Sequence, residues 1–156
     1  MGAALARAEV KLGEPLPAFA PAGLVNFSGG ALPSIQGKVA LVDFWASWCA
    51  PCKQSFPVYA RLHRDFAARG LAIVAIGPAE KWDRATQAQA FLKKQAPPFA
   101  VLRDEQDKFV PTFDVKTWPT CYLVDRAGKV RFVHEGFHDG EEKELRREIE
   151  TLLGEK

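Results

Sequence analysis

The chain has 156 residues, of which 47% are hydrophobic and 26% charged, and its formal net charge at pH 7 is +2. A chain of this length can close one hydrophobic core, so we predict a single domain over residues 1–156, with a loosely ordered segment at residues 1–15. The balanced charge excludes the basic surface that nucleic-acid binding needs, and no apolar run approaches the ~20 residues that cross a bilayer.

The N-terminal residues, MGAALARAEV, lack the apolar stretch of a complete signal peptide. Ala4-Leu5-Ala6 and Ala6-Arg7-Ala8 nevertheless have the small-x-small pattern that ends a cleaved leader. We therefore expect a mature or trimmed form of an exported protein, with the leader absent from this chain.

The first half of the chain predicts a hairpin, a buried strand and a helix. Leu16 to Lys38 is rich in Gly and Pro and contains the turn signal NFSGG, which predicts an N-terminal β-hairpin. Val39 to Trp45 is apolar on both alternating faces except at Asp43, which is typical of a strand covered on both sides. Pro51 to Arg69 has apolar residues at four-residue spacing and stops at Gly70, as a capped helix does.

The second half continues the alternation of strands and helices. Apolar runs predict a strand at Leu71 to Gly77 and another at Phe99 to Leu102. Between them, the apolar spacing predicts a helix at Lys81 to Gln95 that packs Ala85, Ala88 and Leu92. A hairpin is predicted from Cys121 to Asp125 and Lys129 to Glu135. Asp139 and Glu142 form a capping-box pattern before a last helix that Gly154 closes. This order indicates an α/β fold in which helices cover both faces of a mixed sheet.

Two of the three cysteines, Cys49 and Cys52, directly follow the first central strand, in DFWASWCAPCKQSFP. Pro51 suits the first turn of a helix, so the two sulfurs should lie one turn apart on one helical face, within bonding reach. Unpaired N–H groups at the helix N-terminus favour a thiolate at Cys49, and a thiolate there attacks disulfides. Cys52, which should be less exposed, can then attack the mixed disulfide and release the partner.

The spacing of the two cysteines is also compatible with a metal site or a structural disulfide. His134 and His138 have the H-x-x-x-H spacing that could complete a zinc site with the cysteines, although zinc ribbons place their ligand pairs closer in sequence. A purely structural disulfide is disfavoured, because so short a loop gives little entropic stabilisation. A module that holds Cu(I) or Zn on the two thiolates for delivery is the alternative function from a different class.

The stretch DFWASWCAPCK resembles the active site of the thioredoxin superfamily, and Trp118-Pro119-Thr120 resembles its cis-proline loop. The wider pattern is GKVALVDFWASWCAPCKQSFP, then LAIVAIG, then FAVLRDEQDKFVPTFDVKTWPTCYLVDRAGKV, and it is similar to the TlpA/ResA-like thiol:disulfide oxidoreductases over residues 19–153. The resemblance implies a thioredoxin-like fold with a central mixed β-sheet, helices on both faces and an N-terminal β-hairpin extension. It also implies a reversible Cys49–Cys52 disulfide in place of a cofactor or metal.

The same resemblance implies the partners and the location. It predicts an extracytoplasmic, periplasmic reductant, expected to be a monomer, that acts on substrate proteins with disulfides or thiols and is recharged by a membrane electron-donor protein. A peroxidase of the related peroxiredoxin kind is disfavoured, because Pro and Thr do not precede Cys49 in the expected pattern.

Two residues near the dithiol depart from the pattern of the TlpA/ResA-like group. Ser55 stands where much of the group has Glu. Asp43 stands where the group often has Asn, and in this respect the chain is similar to thioredoxin itself, which has a buried aspartate there. A carboxyl within a buried strand should have a raised pKa, which suits Asp43 to exchange a proton with Cys52. The alternative is an Asp at a wetter strand end that local hydrogen bonds satisfy.

The remaining candidates divide between substrate contact and packing. The resemblance implies a cis bond before Pro119 that orients the Trp118 backbone toward the dithiol, and we expect Trp48, Ala50 and Pro51 to face partner proteins. Trp45 and Cys121 are predicted to pack in the core, although Cys121 could instead lie near the dithiol and alter its redox behaviour. No role is assigned to His63, His134 or His138.

Overall fold

The computed structural model describes residues 10–17, 24–27 and 33–156. Within them, six strands form one sheet in the order β1-β4-β3-β2-β5-β6. The strands are β1 (Leu24–Asn26), β2 (Val39–Phe44), β3 (Leu71–Gly77), β4 (Ala100–Asp104), β5 (Thr120–Val124) and β6 (Val130–Glu135). The helices are α1 (Ala50–Phe66), α2 (Ala85–Gln95), α3 (Phe109–Phe113) and α4 (Glu141–Gly154).

The centre of the sheet is β2, which pairs parallel with β3 and antiparallel with β5. Successive residues of a strand point to opposite faces, so β2 supplies both layers of the core. Leu41 packs on one face with residues of α1, α2 and α4, whereas Val42 and Phe44 pack on the other with residues of α3. The predicted mixed sheet with helices on both faces is therefore confirmed.

Residues 18–23 and 28–32 of the N-terminal β-hairpin predicted at Leu16 to Lys38 lie outside the described residues. The described strand of this segment, β1, pairs antiparallel with β4 at the edge of the sheet. Of the segment 1–15, residues 1–9 also lie outside the description. Its last residue, Pro15, bridges to Lys129 beside β6.

The start of one helix differs from the sequence prediction. The helix predicted from Lys81 begins at Ala85, because the preceding residues form a turn in which Asp83 is buried. The apolar face of α2 buries Ala88 and Phe91, while Leu92 is half-buried.

The predicted capping box before the last helix is wrong. Gly140, not Asp139, precedes the first residue of α4; its φ is 91°, and no side chain of a described residue caps this end. Glu142, the other member of the box, pairs with Arg61 across the α1 surface and with Arg146 one turn along α4. A left-handed glycine therefore turns the chain into α4.

The helix α3 was not predicted, and a single carboxylate organises its start. Asp104, at the end of β4, accepts hydrogen bonds from the backbone N–H groups of Lys108, Phe109 and Val110 at 2.8–3.0 Å. These N–H groups lack partners within a helix, so the buried Asp104 satisfies the end of α3.

Candidate active site

The two cysteines lie where β2 runs into α1. Cys49 occupies the N-cap of α1, Ala50 and Pro51 form the first turn, and Cys52 follows, with its backbone N–H donating to the Cys49 sulfur at 3.3 Å. Cys49 and Cys52 form a disulfide, with their Cα atoms 5.3 Å apart. Cys49 is 4% exposed and Cys52 is fully buried, so the predicted order of accessibility is confirmed.

Asp43 lies in the middle of the sheet and is fully buried. Its Oδ1 accepts a hydrogen bond from the Tyr59 hydroxyl at 2.9 Å, whereas its Oδ2 has no hydrogen-bonding partner among the described residues. Burial raises the pKa of this carboxyl to about 8, and the hydrogen bond from Tyr59 opposes part of that rise. The predicted burial of this carboxyl is confirmed, and the alternative of a wetter strand end is wrong.

Cys121 lies opposite Asp43 in the β2–β5 register, and His134 lies opposite Cys121 in the β5–β6 register. The thiol is buried, is not part of a disulfide, and has a pKa raised by burial and by the neighbouring Asp43 carboxylate. A thiol in this environment stays protonated, as expected of a packing residue. Ser55, which stands in place of the Glu of the group, donates a hydrogen bond to the Cys52 carbonyl at 3.2 Å within α1.

The predicted cis-proline loop is confirmed, since the Trp118–Pro119 peptide bond is cis. Thr120 follows and pairs with Phe44 at the end of β2, so the loop lies at the sheet edge from which the Cys49 segment leaves. The Trp118 ring contacts the Trp48 ring, with centroids 5.6 Å apart. The cis-proline loop and the residue preceding Cys49 therefore form one surface.

That surface is apolar and open to solvent. Trp48 is 55% exposed, and its indole N–H donates to the carbonyl of Trp82, which is also exposed. A cavity of about 370 Å³ lies between them, lined by Trp48, Pro78, Trp82, Asp107, Val110, Pro111, Asp114, Val115 and Trp118. We call this feature the tryptophan groove. Trp45, in contrast, is buried against Phe56 and Phe91, as predicted.

A buried acid, Asp83, holds the segment before Cys49 in place through hydrogen bonds. Asp83 accepts hydrogen bonds from the backbone N–H and the hydroxyl of Ser47. The buried Arg103 on β4 donates in turn to the Asp83 carbonyl at 2.7 Å and to Glu80 at 2.7 Å. This chain of contacts fixes the loop that presents Trp48 and Cys49.

Tyr59 is the site residue that sequence reasoning missed. It lies seven residues after Cys52 and three after Phe56, and residues at this spacing share one face of a helix. That spacing would have placed Tyr59 on the face of α1 that covers β2. The two histidines weighed as zinc ligands beside the cysteines contact carboxylates instead, at His134–Glu148 and His138–Glu141.

The protein has a thioredoxin-like fold with a C-x-x-C site. Three features on this mixed sheet define that class: a disulfide at the start of a helix, a buried acid in the adjacent strand, and a cis-proline loop beside the disulfide. Residues 12–133 match the model of the AhpC/TSA family. The chain belongs to this family, and its resemblance to thiol:disulfide oxidoreductases is confirmed by its relatives.

Both the curated relatives and the solved structures carry names from thiol–disulfide chemistry. The chain is 30% identical over 145 residues to the thioredoxin-like protein YneN of Bacillus subtilis, covering 90% of this chain and 81% of YneN. It is 32% identical over 99 residues to the thiol-disulfide oxidoreductase ResA of Bacillus subtilis, covering 64% of this chain and only 54% of ResA. A structure from Chlorobium tepidum, assigned as the thiol:disulfide interchange protein DsbE, superposes with a TM-score of 0.82 at 34% identity, covering 94% of this chain and 100% of that one.

Proposed function

We propose that the chain is a thiol:disulfide oxidoreductase that cycles between the Cys49–Cys52 dithiol and disulfide. The observation that carries this proposal is the Cys49–Cys52 bond at the N-terminus of α1, beside the cis-proline loop. The start of a helix stabilises an anionic sulfur, and the second sulfur is within bonding distance of the first. Relatives named for this activity support it.

The exchange proceeds in two displacement steps. The Cys49 thiolate attacks a substrate disulfide, forming a mixed disulfide and releasing one substrate sulfur as a thiolate, which takes up a proton. Cys52 then loses its proton and attacks the Cys49 sulfur, so the internal disulfide forms and the second substrate sulfur leaves. The substrate disulfide has gained two electrons from the dithiol. Its two sulfurs leave as thiolates and take up two protons, which balance the one lost by Cys52 and the one that Cys49 released to solvent on forming its thiolate. No cofactor is needed, because the two sulfurs carry the electrons.

We assign the catalytic roles to four residues. Cys49 is the nucleophile and Cys52 the resolving thiol; Asp43 takes up the Cys52 proton, for which its free Oδ2 and its pKa of about 8 are suited. Pro119 lacks an N–H group, and its cis bond orients the Trp118 backbone toward an extended substrate segment. Trp48, Ala50, Pro51 and Trp118 form the surface that receives the substrate protein.

We further propose that the protein works as a monomeric reductant outside the cytoplasm, in the periplasm, and receives its electrons from a membrane protein. Relatives named as a thiol-disulfide oxidoreductase and a thiol:disulfide interchange protein support the redox chemistry of this role. Among the described residues, no helix is long and apolar enough to cross a membrane.

The experiment that tests the function measures transfer of electrons to a protein disulfide. Reduced protein is mixed with insulin, and free insulin thiols are counted together with the redox state of Cys49 and Cys52. We expect one insulin disulfide to be reduced for each dithiol oxidised. A protein that binds Cu(I) or Zn²⁺ through these thiols but leaves insulin oxidised would contradict the proposal in favour of metal delivery.

Replacing Trp48 with Ala should weaken the use of protein substrates more than that of small disulfides. Exposed tryptophans at the centre of an interface each contribute roughly 1–2 kcal/mol, so we expect KM for insulin to rise about tenfold. The rate with a small aromatic disulfide should change much less. The matched control is Leu12→Ala, which removes another exposed apolar side chain outside the tryptophan groove. Equal losses with both substrates would contradict a docking role.

A further inference from the structure

A second cluster of chemically active side chains lies at the end of β6 and the start of α4, and the dithiol mechanism does not use it. The Nδ1 of His134 contacts Oε1 of Glu141, and its Nε2 lies 2.6 Å from Oε2 of Glu148. His138, in the connection between β6 and α4, places its Nε2 2.9 Å from Oε2 of Glu141. Two imidazoles and two carboxylates thus converge from a strand, a turn and a helix.

The carboxylates of this cluster are buried, which is uncommon for Glu. Glu141 is 2% exposed and Glu148 is 6% exposed. The Oε2 atom of Glu141 is buried, lies within ion-pair distance of His138, and makes no hydrogen bond with any described residue. A buried carboxylate oxygen without a hydrogen bond is costly unless a charged group or a cation lies against it.

We propose that this cluster binds a divalent metal ion of the zinc class, with His134, Glu141 and Glu144 as ligands and His138 beside them. Donor atoms of His134, Glu141 and the more exposed Glu144 all lie within 4.8 Å of one another. Ligand atoms of a tetrahedral zinc site lie roughly 3.4 Å apart, as follows from metal–ligand distances of about 2.1 Å, so modest side-chain movement completes the site. His138, whose Nε2 lies 2.9 Å from Oε2 of Glu141, supplies a further imidazole at the exposed side.

The contact between His134 and Glu148 fixes the orientation of the His134 ring. A metal-bound histidine usually donates its other ring N–H to a carboxylate, which fixes the orientation of the ring. With the metal at Nδ1 of His134, the Nε2–H group would donate to Glu148, the buried acid one turn beyond Glu144 on α4. Glu148 is therefore a positioning residue, and the Nδ1 side of the His134 ring, which faces Glu141, is left for the metal.

The donor set and its surroundings select the class of ion. Two imidazoles with carboxylates suit Zn²⁺ and similar transition-metal ions, whereas Mg²⁺ and Ca²⁺ prefer sites built from oxygen alone. The cluster lines a cavity of about 410 Å³, which gives the ion access from solvent. Arg131 also lines this cavity, but its guanidinium is engaged by Asp125 and Glu155.

The experiment titrates untagged, oxidised protein with Zn²⁺ by calorimetry, and with Co²⁺ while recording its visible absorption. In oxidised protein the Cys49–Cys52 disulfide removes both thiolates as ligands, so this site is measured separately from the dithiol. We expect one equivalent of Zn²⁺ to bind and the Co²⁺ spectrum to show four-coordinate geometry. Absence of binding, or a Co²⁺ spectrum of a fully hydrated ion, would overturn the proposal.

Four variants locate the bound ion. His134→Ala should abolish binding, and Glu148→Gln should weaken it about tenfold or more, as loss of a supporting carboxylate does. His138→Ala should also weaken binding at least about tenfold and, because this side chain is largely exposed, should not disturb the fold. The matched control is His63→Ala, which removes a histidine on α1 and should leave binding unchanged. Equal binding by His138→Ala and the unmodified protein, or loss with His63→Ala, would overturn the assignment.

Discussion

Replacing Cys49 with Ala should abolish disulfide reduction, because no other thiol can take its place at the start of α1. Uncatalysed thiol exchange alone would remain, so we expect the rate with insulin to fall by at least about 1,000-fold, a loss typical of removing a catalytic nucleophile. Cys52→Ala should behave differently, because the Cys49 thiolate can still attack. It should accumulate a mixed disulfide with the substrate, detected by mass spectrometry as a covalent complex that a reductant dissolves.

The third cysteine provides the matched control for this pair. Cys121 is buried in β5 and is not part of the disulfide, so Cys121→Ala should retain activity. Cys121→Ala should instead lower the free energy of unfolding by about 1 kcal/mol, because it removes part of a small buried side chain. Trapping of substrate on Cys121, or full activity without Cys49, would contradict the assigned roles.

Replacing Asp43 with Asn should stabilise the protein at alkaline pH. The folded-state pKa of Asp43 is about 8 and the ordinary value is 3.8, so between these values the folded protein holds a proton that the unfolded chain has released. Raising the pH therefore favours unfolding, and the loss of stability grows from nothing below about pH 4 to roughly 6 kcal/mol above about pH 8. Asn carries no charge and can still accept the hydrogen bond from Tyr59. The free energy of unfolding of Asp43→Asn should therefore not fall in this way as the pH rises.

The measurement is chemical denaturation of both proteins in oxidised form across this range. Near pH 4 their free energies of unfolding should agree within about 1 kcal/mol, and near pH 9 the variant should be more stable by several kcal/mol. Parallel pH profiles for the two proteins would show that Asp43 is not a buried acid of raised pKa.

The same carboxyl should govern how the rate of Cys52 attack depends on pH. In Asp43→Asn, resolution of the mixed disulfide should slow by at least about tenfold, as loss of a general base does, and the inflection near pH 8 should disappear. Tyr59→Phe keeps the carboxyl but removes the donor to its Oδ1, so the Asp43 pKa should rise further and the inflection should move to higher pH. An inflection that stays in place in both variants would contradict the proton-transfer role.

Much of this site could be predicted from the sequence because it depends on local patterns. The position of Cys49 at the end of a strand and of Pro51 in the first turn of a helix determines the distance between the sulfurs. The burial of Asp43 follows from the apolar residues on both sides of it in β2. The cis bond before Pro119 was predicted only through resemblance, because most bonds that precede proline are trans.

The parts that could not be predicted depend on contacts between distant segments. Tyr59 acquires its role only when α1 packs on β2 and its hydroxyl reaches Asp43, 16 positions earlier in the chain. The late start of α2 depends on Asp83, which bonds to Ser47 instead of opening the helix. The capping box failed because Glu142 bonds to Arg61, 81 positions away, which no local pattern reveals.

The central claim is that Cys49 and Cys52 exchange electrons with thiols as a reversible pair. The most direct test equilibrates the protein in glutathione buffers of graded ratio, quenches with acid, alkylates the free thiols and identifies the linked residues by mass spectrometry. We predict one two-electron transition in which the Cys49–Cys52 bond replaces the two alkylated thiols. A chain with no link between these residues at any glutathione ratio, or with a link that glutathione never opens, would contradict it.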